Sequence, residues 1–102
     1  MSIESSDLQA DSRRDNVIVL NAVIRNRAPF PQDFPALELT LTDESDHAVL
    51  RRVLAPADYL DAARLPLVGQ GIGASSEASL RVFFDAGRAR ATGYRLYLFY
   101  PQ

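Results

Sequence analysis

The sequence predicts an all-β fold, a β-sandwich of about six to seven strands with one short helix near residues 56–63. Three observations lead there. Residues 17–24 form a run rich in β-branched side chains. Leu37, Leu39 and Leu41 alternate with Glu38, Thr40 and Thr42, the period of two of a strand. Turn residues recur at roughly ten- to fifteen-residue spacing, close to the rhythm of a sandwich.

The elements follow in chain order. Residues 2–14 are polar, with Ile3 and Leu8 as the apolar anchors, and read as an N-terminal arm or an edge strand. Residues 15–102 then form a single sandwich domain. The 17–24 run is expected to be a central strand, ending at Arg25-Asn26-Arg27. Asn21 and Asn26 flank it, where side-chain amides can bond loop backbone. Pro29, Pro31 and Pro35 stiffen the next connection around Phe30 and Phe34.

The alternating stretch at 37–42 predicts one buried face and one wet face. Asp43-Glu44-Ser45-Asp46 is a turn, and residues 48–54 return as the second arm of a hairpin. Pro56 suits the first turn of a helix, and Asp58 lies near its positive end. Tyr59, Leu60 and Ala63 face inward in that helix, and Tyr59 and Leu60 plug one end of the sandwich. Gly69, Gly71 and Gly73 mark a flexible loop. Residues 78–85 are a strand with Leu80, Val82 and Phe84 on one side. A polar connection with Arg88 and Arg90 leads to the last strand, residues 94–100, which Pro101 stops. Both faces of that strand are apolar or aromatic, so it is expected to be central.

Composition narrows the function classes. The 102 residues are 47% hydrophobic and 24% charged, as in ordinary folded proteins. The formal net charge of −2 gives nucleic-acid binding no electrostatic footprint. All eleven basic residues are Arg, which suits bidentate contacts with carboxylates and stacking on aromatic rings. The absence of Cys excludes disulfides, zinc–thiolate sites and thiol catalysis. No stretch approaches the roughly 18 apolar residues of a membrane span. Residues 1–14 lack the apolar centre of a signal peptide, so any export or anchoring segment is expected outside these residues.

No residue cluster reads as a catalytic or cofactor site. The Gly-Gln-Gly-Ile-Gly stretch at 69–73 leads into a Ser-rich segment and a strand, whereas a phosphate-binding loop opens onto a helix. Asp43, Glu44 and Asp46 supply too few oxygens for a calcium loop. His47 lacks the nucleophile and orienting carboxylate of a triad. Asp58 and Asp61 share a helix face, where a helix-start role fits better than acid–base work. Tyr94, Tyr97, Phe99 and Tyr100 lack the basic groove of a base-stacking platform. They read as core, with a protein-contact surface as the alternative. No catalytic, cofactor or metal residue is assigned.

Three segments together carry a family resemblance. They are residues 20–27, residues 34–43 running on to Arg51-Arg52-Val53-Leu54-Ala55-Pro56-Ala57-Asp58-Tyr59-Leu60, and Ala91-Thr92-Gly93-Tyr94-Arg95-Leu96-Tyr97-Leu98-Phe99-Tyr100-Pro101. They resemble the C-terminal domain of unknown function found in bacterial membrane proteins with an N-terminal zinc ribbon and a single transmembrane helix. More distantly, the plan resembles the immunoglobulin-like sandwich of late-embryogenesis-type domains. The resemblance implies an extracytoplasmic domain on the periplasmic side of the bacterial inner membrane, held there by its parent. It implies no enzyme activity and no cofactor, and it carries no zinc ligands onto this chain.

The expected function is therefore a non-enzymatic interaction module, with another protein or a second copy as partner. It would bind no nucleic acid and make no membrane contact of its own. The suspected surface is Arg51, Arg52 and Arg95, centred on the edge of the 48–54 strand. Arg51 and Arg52 fall on opposite faces, one of them within reach of Glu38 across the hairpin. A small-ligand site between the sheets or under the glycine loop is the alternative.

Overall fold

The chain builds six strands: β1 (Ser2–Ala10), β2 (Val17–Arg25), β3 (Ala36–Thr42), β4 (Ala48–Leu54), β5 (Glu77–Asp85) and β6 (Gly93–Phe99). The computed structural model describes residues 1–61, 64–87 and 91–101. The strands form two three-stranded antiparallel sheets, ordered β1-β2-β5 and β4-β3-β6. This all-β arrangement is consistent with an immunoglobulin-like sandwich, whose sheets split A-B-E from C′-C-F in the same way.

The core lies between the sheets. Leu20, Ala22 and Ile24 of β2 and Leu80 and Val82 of β5 meet Leu37, Leu39 and Leu41 of β3. β2 and β3 are each the middle strand of their sheet, which is why their inward leucines and Ile24 are almost wholly buried. The same position explains a departure from the sequence reading. Thr40 and Thr42 were expected on a wet face, yet both are buried. Thr40 is flanked on both sides, by Arg51 of β4 and Arg95 of β6.

β1 answers the question left open for the N-terminal residues: it is an edge strand paired along β2. The strand β6, in contrast, was expected at the centre of its sheet and lies at an edge. Its inward Leu96 and Leu98 pack on the core, but only β3 flanks it. Two apolar faces did not require two neighbouring strands here: its outward Tyr97 is left in solvent.

The helix α1 is a single turn, Pro56–Tyr59, inside the expected window. Asp58 closes the turn by accepting the Ala55 amide at 2.8 Å. Tyr59 and Leu60 are buried as expected, whereas Ala63 lies outside the described residues. The Tyr59 hydroxyl donates to the Pro35 carbonyl at 2.7 Å, and burial pushes its pKa above the ordinary phenol value. The stretch expected as a flexible glycine loop begins as a 3-10 helix, Leu65–Gln70, that stops at Gly71.

Asn26 anchors this end of the sandwich. It is fully buried, and its side-chain amide donates to the carbonyls of Phe30, Ile72 and Gly73. Its carbonyl oxygen accepts the Ala28 amide at 2.9 Å. One side chain thus ties the proline-rich connection to the segment before β5. Beside it, Gln32 and Ile72 exchange backbone hydrogen bonds of 3.0 and 2.7 Å.

Candidate interaction surface

Register sorts the three suspected arginines. Opposed residues of an antiparallel pair share a face. Arg51 and Arg95 both oppose Thr40, so both stand on the outward face of the β4-β3-β6 sheet. Arg52 opposes the buried Leu39 and therefore lies on the core side of its edge strand. The structure brings Arg51 and Arg95 together and separates Arg52 from them. Arg52 remains exposed because β4 is an edge, and it turns to donate to the Arg51 carbonyl at 3.0 Å.

Arg51 pairs with Glu38 at 2.9 Å, the cross-hairpin partner anticipated from sequence. Arg95 is exposed and makes no ion pair among the described residues. Arg88 and Arg90 lie outside the described residues.

In the row next to these arginines, two apolar side chains flank Glu38. Val53 and Tyr97 both oppose Glu38 and are 58% and 59% exposed. Val49, at the bulge of β4, is also exposed. The outward face thus presents an aromatic ring, two valines and two guanidinium groups in one strip. Sequence reasoning had placed Tyr97 mainly in the core and had not singled out Val53 or Val49. The signal available was Val49 and Val53 flanking Arg51 at a spacing of two, which puts all three on one side of a strand.

The opposite sheet carries different chemistry. On its outward face Phe83 lies between two guanidinium groups, Arg14 at 5.2 Å and Arg81 at 5.0 Å from the ring centroid. Asp11 fixes Arg14 through a 2.8 Å ion pair. The Arg13 backbone amide and the Arg14 guanidinium hold the Asp11 carboxyl below its ordinary pKa. Further along this face an open groove of about 510 Å³ is lined by Asp7, Asn21, Arg64, Ser79 and Arg81. A second cavity, of about 360 Å³, lies beside Phe34, Gly71 and Ser76, next to the glycine segment.

The remaining sequence candidates are engaged in local structure. Asp43 accepts the amides of Ser45 and His47, both at 2.9 Å, and so organises its own turn. His47 stands in solvent 3.6 Å from the Asp43 carboxylate. Asp61 accepts the Arg64 amide at 2.8 Å. Tyr100 is exposed and donates to the Asp33 carbonyl at 2.9 Å, with burial the first cause of its raised pKa.

Residues 1–98 match one family model, described as a protein of unknown function, DUF3426. The chain belongs to the DUF3426 family. Neither a curated protein nor a solved structure matches it. The family match spans both sheets up to Leu98, so the outward strip of Arg51, Val53, Arg95 and Tyr97 lies within the DUF3426 domain.

Proposed function

We propose that this chain is a non-enzymatic protein-interaction module, the extracytoplasmic end of a membrane-anchored bacterial protein. The observation that carries the reading is the outward strip of the β4-β3-β6 sheet, where Tyr97 and Val53 stand exposed beside Arg51 and Arg95. Tyr and Arg are enriched where proteins meet, because each buries a large surface and still offers directed polar contacts. The periplasmic placement and the membrane-anchored parent follow from the resemblance of the three sequence segments. The polar contacts of Asp43, Asp58 and Asp61 within their own turns favour a structural role for these carboxylates over acid–base chemistry.

The test is affinity capture from an envelope extract of the source cell, with the domain as bait and an Arg51→Ala/Val53→Ser variant as control. Both positions are exposed on β4, so the variant is expected to fold. A partner held by the native domain and lost by the folded variant supports the reading. Equal retention by both removes this strip as the surface.

The groove beside Asp7, Asn21, Arg64 and Arg81 favours a second reading, a small-ligand binding domain. A ligand that binds only the folded state raises the melting temperature. A metabolite panel that produces such a shift, lost in Arg81→Ala, would move this reading ahead.

A further inference from the structure

A sheet edge exposes unpaired backbone donors and acceptors, and proteins usually block it. This sandwich has four edges, and three carry a visible device. β1 is bulged between Ile3 and Ser5, where Glu4 bonds Arg25 and Arg27 at 3.0 and 2.8 Å. β4 is bulged near Val49 and carries Arg52 on its core side. β5 is covered by α1, and Arg64 donates to its Ser79 carbonyl.

β6 has none of these. It runs in unbroken register with β3 for all seven residues, and no described strand pairs with its other edge, where Ser6 of β1, from the facing sheet, bonds the Tyr94 hydroxyl at 2.8 Å. Its core-side Tyr94, Leu96 and Leu98 are only half-buried, although they pack against the core. A strand laid beside β6 would satisfy its free backbone groups and finish burying these three side chains.

We propose that this strand is β6 of a second copy, added antiparallel about a two-fold axis through Leu96, so that two β4-β3-β6 sheets become one continuous sheet. The proposal rests on the reading of the chain as an interaction module and names its partner. A two-fold interface must be self-complementary. Leu96 is the midpoint of Gly93–Phe99, so this register alone pairs the whole strand. It sets Arg95 opposite Tyr97 of the second copy, twice, within cation–π reach on the outward face. On the core side it sets Tyr94 opposite Leu98, twice. A register shifted to centre on Arg95 would place that guanidinium against its own copy, and like charges directly opposite repel.

The test is sedimentation equilibrium of the chain at about 100 μM, where a micromolar dimer is well populated. The native chain is expected at twice its 11.3 kDa mass. Tyr97→Arg places like charges opposite each other and is expected to weaken the dimer about tenfold or more. Tyr97→Glu places a carboxylate opposite Arg95 of the second copy and is expected to keep it. Tyr97 is exposed, so both variants are expected to fold; the carboxylate of Tyr97→Glu stands opposite Glu38 of its own sheet, and melting temperatures confirm that each variant is folded where its mass is read. Amide exchange gives an independent readout: protection in β6 should rise with concentration while β4 stays unchanged. A native chain that remains monomeric at this concentration overturns the dimer and leaves the capture experiment standing. So does an equal response to the two Tyr97 variants. A dimer that appears where capture fails would uphold β6 pairing while removing the outward strip.

Discussion

The side-chain amide of Asn26 donates to the Ile72 carbonyl at 2.9 Å, across 46 residues of chain. The same group reaches Phe30 and Gly73, so one fully buried amide joins two irregular segments that share no strand. Such a residue cannot be replaced by an apolar one of similar size. The Phe30 carbonyl and the Ala28 amide would lose this partner inside the protein, and the Ile72 and Gly73 carbonyls would keep a backbone donor alone. Asn26→Leu is expected to lower the unfolding free energy by about 3 kcal/mol, read from urea denaturation with an unchanged slope.

Tyr59 sets an alkaline limit on stability. Its pKa is raised in the folded state, so its contribution is fully present below the ordinary phenol value of 10.0 and is lost as pH rises above it. Stability is therefore expected to hold level through neutral pH and to fall above about pH 10. In Tyr59→Phe this residue's share of that fall should disappear. The variant should also lose about 1.5 kcal/mol at neutral pH, because the buried Pro35 carbonyl loses its donor. Melting temperatures of both proteins from pH 7 to pH 11 check the two effects together.

Two glycines in the same segment are expected to behave oppositely. Gly71 has φ +69, and an added Cβ would stand 2.3 Å from the Gln32 carbonyl oxygen. Gly69 has no atom within 4 Å of such a Cβ. Gly71→Ala should cost about 3 kcal/mol and open the Gln32–Ile72 bridge. Gly69→Ala should change stability by less than about 1 kcal/mol. Thermal melts of the pair separate backbone strain at one residue from a general need for flexibility.

Arg52 is expected to guard β4. Arg52→Val should leave the melting temperature nearly unchanged, since the guanidinium is exposed. It should nevertheless raise light scattering at high concentration, because the edge loses the charge that opposes further pairing. Arg51→Ala, which removes a surface ion pair with Glu38 and leaves the core side alone, should not.

Much of the architecture was legible in short-range pattern. The Leu37-Leu39-Leu41 alternation, the β-branched run before Arg25 and the acidic turn at 43–46 are local signals, and each became the element expected. What escaped were relations between distant segments. Whether β6 has one neighbour or two depends on what else packs beside it, and Tyr97 carries no mark of that choice. The burial of Thr40 likewise belongs to a middle strand, whose neighbours Arg51 and Arg95 come beside it only once three strands have aligned. The exposed strip was partly visible: its arginines were expected, while Val53 and Tyr97 resembled ordinary core residues until register put them outside.

The strand order also shapes how such a chain can be made. β5 pairs with β2, and β6 pairs with β3, in each case after fifty or more intervening residues have been synthesised. A chain leaving the ribosome or a translocation channel would form the β1–β2 and β3–β4 hairpins while their apolar faces still lacked a complete opposing sheet. The second sheet cannot close until Phe99 has emerged. Completion of this fold therefore waits for β6, the last of its strands, and is governed by the slow closure of long loops.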